Sequence, residues 1–174
     1  MTKNNAPSSL SLLDGASAQA PIIAPELEMQ KHLAADPLQP LETRLEAYED
    51  IVESEVGDTS LTRSRNLERD VGLRQIYLKF EGGNPTGAQK DRIAFAQAMD
   101  ALRRRFDAIC VATCGNYGAA MAIASSMAGL KCIAYIPEGY HTRRIDEMLR
   151  YGSEIVRVPG NYEDAVMASR ARAD

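Results

Sequence analysis

The sequence predicts an α/β protein, a parallel β-sheet with flanking helices. Three observations predict it. From residue 75 onward, short apolar runs alternate with longer stretches of helical periodicity, the pattern of βαβ units. The run over residues 107–113 is apolar on both faces, as a strand buried inside a parallel sheet must be. At 174 residues the chain is long enough to bury a sizeable core.

The elements follow in order. Residues 25–35 and 41–54 have helical character, separated by Asp36-Pro37-Leu38-Gln39-Pro40, and Pro40 suits the first turn of the second helix. Residues 75–80 read as a strand. A turn over 81–87 leads into a helix over 90–105, where Ile93, Ala94, Ala98, Ala101 and Leu102 contribute to a mostly apolar face. Strand 107–113 is followed by a small-residue helix over 115–127 that Gly129 ends. Strand 131–136 closes at Pro137-Glu138-Gly139. A helix over 142–151 is capped by Gly152, strand 154–158 follows, and Asn161 is the N-cap of a last helix beginning at Tyr162. The four strands are expected to lie parallel. The last helix is still running at Asp174, which reads as an N-terminal piece of something longer.

Composition removes several function classes. A net charge of −4 argues against a nucleic-acid binder, which carries a basic face. The run Arg103-Arg104-Arg105 reads as a favourable dipole interaction at a helix end. No stretch approaches the length of a membrane span. Cys110 and Cys132 lie in apolar strand-like runs and read as core, and His32 and His141 are isolated, so no zinc site is expected. Residues 1–22 are rich in Ser, Ala, Asn and Pro and lack the features of a secretory signal or a transit peptide. They read as a disordered extension of a cytoplasmic protein.

The chemistry concentrates in Asn84-Pro85-Thr86-Gly87-Ala88-Gln89-Lys90-Asp91-Arg92. A turn-forming stretch places one lysine at the start of an apolar helix. A helix N-terminus favours anions, so a cation there is disfavoured and the lysine is biased toward the free amine, the form that attacks an aldehyde. Asp91 and Arg92 follow on the first turn, where they can position the segment through ion pairs or hydrogen bonds.

This segment resembles the lysine motif of the fold type II pyridoxal-phosphate enzymes, the tryptophan synthase β family. Further segments carry the resemblance: Gly57-Asp58-Thr59-Ser60-Leu61, Leu78-Lys79-Phe80-Glu81, and the loop Thr113-Cys114-Gly115-Asn116-Tyr117-Gly118. Gly152-Ser153-Glu154-Ile155-Val156 and Gly160-Asn161-Tyr162-Glu163-Asp164-Ala165 resemble the threonine synthase branch. Together they cover residues 45–174 in the family's order and spacing. Five positions depart from the pattern: Ala88 replaces a serine, Gln89 an aromatic residue and Ser60 a proline, while Cys114 and Tyr117 alter the loop for the substrate carboxylate.

The resemblance implies pyridoxal 5′-phosphate as cofactor, with Lys90 as its Schiff-base lysine and proton shuttle and Asn116 bonded to its ring hydroxyl. By the same resemblance Thr113, Cys114, Gly115, Asn116 and Tyr117 would form the substrate carboxylate loop at a helix N-terminus, which is sound anion chemistry in its own right. Lys90 and Asn116 are expected near each other at the carboxyl ends of strands. Residues 23–74 would belong to the large domain and 75–174 to the cofactor-lysine domain, incomplete at its C-terminus. The implied activity is that of a lyase or synthase, conversion of O-phosphohomoserine to threonine and phosphate. Cysteine synthase and serine/threonine dehydratase activities remain open, as does a truncated, non-catalytic binding module. The family's glycine-rich phosphate loop has no counterpart in 119–174, so this chain alone is expected to be inactive. Expected partners are an amino-acid substrate and either a second copy in a homodimer or a complementing C-terminal chain. A Rossmann reading of Gly115-Asn116-Tyr117-Gly118 with Glu138 lacks the first glycine, and a P-loop at Gly82 and Gly87 lacks its lysine.

Overall fold

Strands β3 (Ala108–Ala112), β4 (Lys131–Pro137) and β5 (Glu154–Val158) form a parallel sheet in the order β3-β4-β5 in this computed structural model, which describes residues 24–173. Ala108 faces Lys131 and Ala112 faces Tyr135; Ile133 faces Glu154 and Pro137 faces Val158. The expected extension over 1–22 lies outside the described residues. Side chains alternate across β4. Cys132, Ala134 and Ile136 enter the main core, while Ile133 and Tyr135 join a second cluster on the other face with Ala112 and Ala165.

Helix α5 (Asn116–Met127) connects β3 to β4, and α6 (Arg144–Arg150) connects β4 to β5, both on the main-core face. Helix α7 (Tyr162–Ala173) covers the opposite face through Ala165. Every residue of α5 from Gly118 to Ser125 is buried, so small side chains on all sides let neighbouring elements approach closely. Helix α4 (Lys90–Arg103) packs along α5. Helices α1 (Glu28–Ala35) and α2 (Leu41–Glu55) complete this layer. Tyr48 of α2 stacks on Phe95 with ring centroids 6.0 Å apart and donates its hydroxyl to the Ala124 carbonyl. Arg44 donates to the carbonyls of Ala34 and Ala128, at the C-terminal ends of α1 and α5, where a cation is favoured.

The expectation of four parallel strands is corrected. The strand near residue 75 exists as β2 (Tyr77–Lys79), but it pairs antiparallel with β1 (Leu61–Arg63) in a separate two-stranded ribbon. All six ribbon residues are exposed, whereas an inner parallel strand is covered on both faces. Neither β1 nor the short α3 (Arg65–Val71) was expected; α3 has no buried residue and therefore no apolar periodicity to read. Pro40 sits at the N-cap of α2, just before its first turn.

Candidate active site

Lys90 is the first residue of α4 and is exposed. Its amine has no hydrogen-bond or ion-pair partner among the described residues. The residues after it hold the backbone in place. Asp91 is fully buried and accepts from both the backbone N–H and the hydroxyl of Thr86, at 2.9 and 2.7 Å. These bonds fold the Thr86–Gln89 turn back on the helix start. Burial pushes the Asp91 carboxyl above its ordinary value, opposed by the two Thr86 bonds and by the charge of Arg144.

Arg92 gathers the upstream motifs. Its guanidinium donates to both Glu81 carboxylate oxygens, at 2.9 and 3.1 Å, to the Gly57 carbonyl at 2.9 Å and to the Thr59 hydroxyl at 3.1 Å. Asn84 closes the ring, accepting from the Gly57 N–H and donating to Glu81. A Cβ at Gly57 would stand 2.7 Å from the Arg92 guanidinium. Three segments far apart in sequence therefore meet behind the lysine, although Lys90 follows the antiparallel ribbon rather than a strand of the parallel sheet.

The second half of the site lies at the carboxyl end of β3. Thr113 is buried, and its hydroxyl accepts from the N–H groups of Gly115 and Gly118, at 3.3 and 2.8 Å. A Cβ at Gly118 would come within 2.5 Å of both Thr113 and Met148, so only glycine allows this tight turn. An open cleft of about 390 Å³ lies against the loop, lined by Ala112, Thr113, Cys114, Gly115, Asn116, Tyr117 and Tyr162. The N–H groups of the loop differ in their partners. Thr113 donates its N–H to the Tyr135 carbonyl and Gly115 donates to Thr113, so both are occupied. Those of Cys114, Asn116 and Tyr117 have no partner among the described residues. Burial pushes the Cys114 thiol up, so it lines the cleft as a neutral group. Tyr117 donates its hydroxyl to Gln97 of α4, at 2.5 Å.

Two residues were not anticipated. Tyr162 reaches across from the start of α7 and donates to the Ala112 carbonyl at 3.2 Å. Arg144, the first residue of α6, donates to the Asn116 side-chain oxygen at 3.0 Å, to the Thr86 carbonyl at 3.2 Å and to Glu147 at 2.6 Å. It thereby joins the lysine segment to the β3 loop. An arginine at a helix N-terminus opposes the dipole, and that was the readable signal. A guanidinium only donates, so Asn116 must turn its oxygen inward and leave its NH₂ outward.

Pyridoxal phosphate presents an aldehyde with a hydroxyl on the neighbouring ring carbon. The exposed Lys90 side chain suits the aldehyde, and the outward NH₂ of Asn116 suits the hydroxyl. The residues present fit this end of the cofactor.

Comparison with known proteins points to the same cofactor. A pyridoxal-phosphate dependent enzyme family matches residues 52–174. Threonine synthase of Methanocaldococcus jannaschii is 36% identical over 111 residues, which is 63% of this chain and 27% of the relative. Threonine synthase of Bacillus sp. is 37% identical over 66% of this chain and 32% of the relative. The matched segment thus spans roughly a third of these relatives. Among solved structures, a pyridoxal 5′-phosphate-dependent aspartate racemase superposes with a TM-score of 0.64 at 29% identity, over 74% of this chain and 41% of that one. An O-acetylserine dependent cystathionine beta-synthase from Helicobacter pylori gives 0.61 at 26% identity, over 70% and 42%. Shared along most of its length, from the end of α2 through α7, the chain belongs to the family of pyridoxal-phosphate dependent enzymes.

Proposed function

We propose that this chain supplies the lysine-bearing part of a threonine synthase-like enzyme that converts O-phosphohomoserine to threonine and phosphate. The observation that carries the reading is the Lys90 amine, without a partner among the described residues, on a segment that Asp91 and Arg92 hold and that Arg144 joins to the Thr113–Tyr117 loop. When bound, pyridoxal phosphate supplies an electron sink for negative charge developing on the amino-acid carbon skeleton. Lys90 would hold the cofactor aldehyde, and its amine would move a proton on the substrate's carbon skeleton. Asn116 donates to the ring hydroxyl. The N–H groups of Cys114, Asn116 and Tyr117, at the positive end of α5, orient the substrate carboxylate. The threonine synthases at 36% and 37% identity support this substrate over those of cysteine synthases or dehydratases. We place the enzyme in the cytoplasm; among the described residues no helix is long and apolar enough to cross a membrane.

The cofactor phosphate is left to residues outside this chain, from a complementing segment or a longer polypeptide. Each charge-assisted bond to it is worth roughly 1.5–3 kcal/mol, so the 174-residue chain alone should bind weakly and turn nothing over. In the assembled enzyme, pyridoxal phosphate should give a visible absorption band and phosphate release from O-phosphohomoserine. Lys90→Ala should remove the band and lower turnover about 10³-fold or more. An unchanged band in that variant overturns the lysine assignment. Tight stoichiometric binding with turnover by the isolated chain overturns the division of the site.

A further inference from the structure

We propose that Arg144 is the positioning residue of the cofactor site: its guanidinium fixes the Asn116 amide with NH₂ outward and ties it to the Lys90 turn, so that an amine and an amide donor together recognise an aldehyde with an adjacent ring hydroxyl. The inference rests on the cofactor reading above and adds what makes the site selective. Asn116 is exposed at the first residue of α5, where a side-chain amide would otherwise rotate freely. Arg144 removes that freedom by occupying its oxygen at 3.0 Å. The same guanidinium reaches the Thr86 carbonyl at 3.2 Å, and Thr86 is the residue that Asp91 clamps next to Lys90. One rigid fork therefore spans the two segments that carry the amine and the donor. Glu147 anchors the fork within α6 at 2.6 Å, and the side chains of both members of this pair are only 18% exposed. Lysine cannot substitute, because a single ammonium on a flexible stem does not hold acceptors on two segments in fixed geometry.

The test uses reductive labelling of the whole chain, which captures even weak binding. A lysine amine condenses with an aldehyde, losing water to form an imine, and borohydride delivers hydride to the C=N carbon, with a solvent proton on nitrogen, to leave a stable secondary amine. Two probes are compared: pyridoxal, which has the adjacent hydroxyl, and pyridine-4-carboxaldehyde, which lacks it. Peptide mass spectrometry gives the pyridoxal preference at Lys90 relative to Lys79 and Lys131, so the probes' intrinsic reactivity cancels. In the parent chain Lys90 should show an excess preference of about three- to tenfold, the effect of one oriented hydrogen bond. Arg144→Lys keeps the charge beside Glu147, yet it should abolish the excess. Asn116→Ala should abolish it equally, and the double variant should lose nothing more. Full preference in folded Arg144→Lys overturns the positioning role. Full preference in Asn116→Ala overturns it also, and does so even if Arg144→Lys fails to fold. Absence of any excess at Lys90 in the parent chain overturns the cofactor reading itself, a different result from loss of the excess in the variants alone.

Discussion

Asp91 stands one position beyond Lys90 with its carboxylate out of solvent, and two donors of Thr86 depend on it. Asp91→Ala should leave a buried N–H and a buried hydroxyl without partners and lower stability by about 1–3 kcal/mol. Asp91→Asn keeps one acceptor for the N–H, and the Thr86 hydroxyl can rotate to accept from the new NH₂, so it should cost less; thermal unfolding of both variants checks the order. Glu81 provides a pH-dependent case. Its bonds to Arg92 hold its carboxyl below the usual glutamate range. A carboxyl lowered by folding contributes stability above its unfolded value, and that contribution fades as pH falls through the lowered folded value. The stability gap between the parent chain and Glu81→Gln should therefore be present near neutral pH and close on acidification below the glutamate range. A gap that widens with acid would contradict the pairing. The bonds by which Asp91 and Arg92 hold the segment were legible because both residues lie in a short motif. Arg144 and Tyr162 were not, because only folding brings them to positions 86, 112 and 116.

Helices α4, α5 and α6 stop in the same way. At each end, two backbone N–H groups turn back onto the last carbonyls, and the residue after the cap lies in left-handed conformation at α4 (Arg105, φ 62), α5 (Gly129, φ 65) and α6 (Gly152, φ 76). This turn sends the chain directly into β3, β4 or β5. The two glycine ends were legible in the sequence. The end of α4 was expected at 105 and comes at Arg103, because an arginine fills the slot that glycine would mark. Arg104 pairs with Asp100 at 3.0 Å, one turn earlier. A left-handed non-glycine residue costs about 1–2 kcal/mol, partly offset by the greater freedom of glycine in the unfolded chain. Arg105→Gly should therefore raise stability by about 0.5–1 kcal/mol in denaturant unfolding; a loss would show that the Arg105 side chain matters more than its backbone. The ribbon was legible only in half. Strand β1 has three exposed residues and is defined by its pairing with 77–79, a contact that no local pattern announces.

Over the whole molecule, apolar surface collects on the ribbon and the residues around it. Leu61, Leu73, Tyr77, Leu78 and Phe80 are each half or more exposed. Exposed apolar side chains gathered on a short ribbon and its flanks favour contact with another polypeptide. The isolated chain should therefore sediment as a species heavier than its 19.0 kDa, and Leu78→Glu with Phe80→Glu should shift it toward monomer; a monomeric parent chain would sink this expectation. The α/β class was legible because alternating periodicity is local. Strand neighbours are not local, which is why the ribbon was assigned to the wrong sheet. The placement of α7 carries one more consequence. Helices α5 and α6 cross on one face of the sheet and carry the chain from β3 outward to β5, whereas α7 lies on the other face. Crossovers between parallel strands are right-handed, so changing face reverses the direction in which a sheet grows. A strand entering this sheet after α7 would add beside β3, on its open edge. The cleft at Thr113–Tyr117 would then sit at the switch point of the sheet, where neighbouring connections part to opposite faces and ligands enter α/β folds.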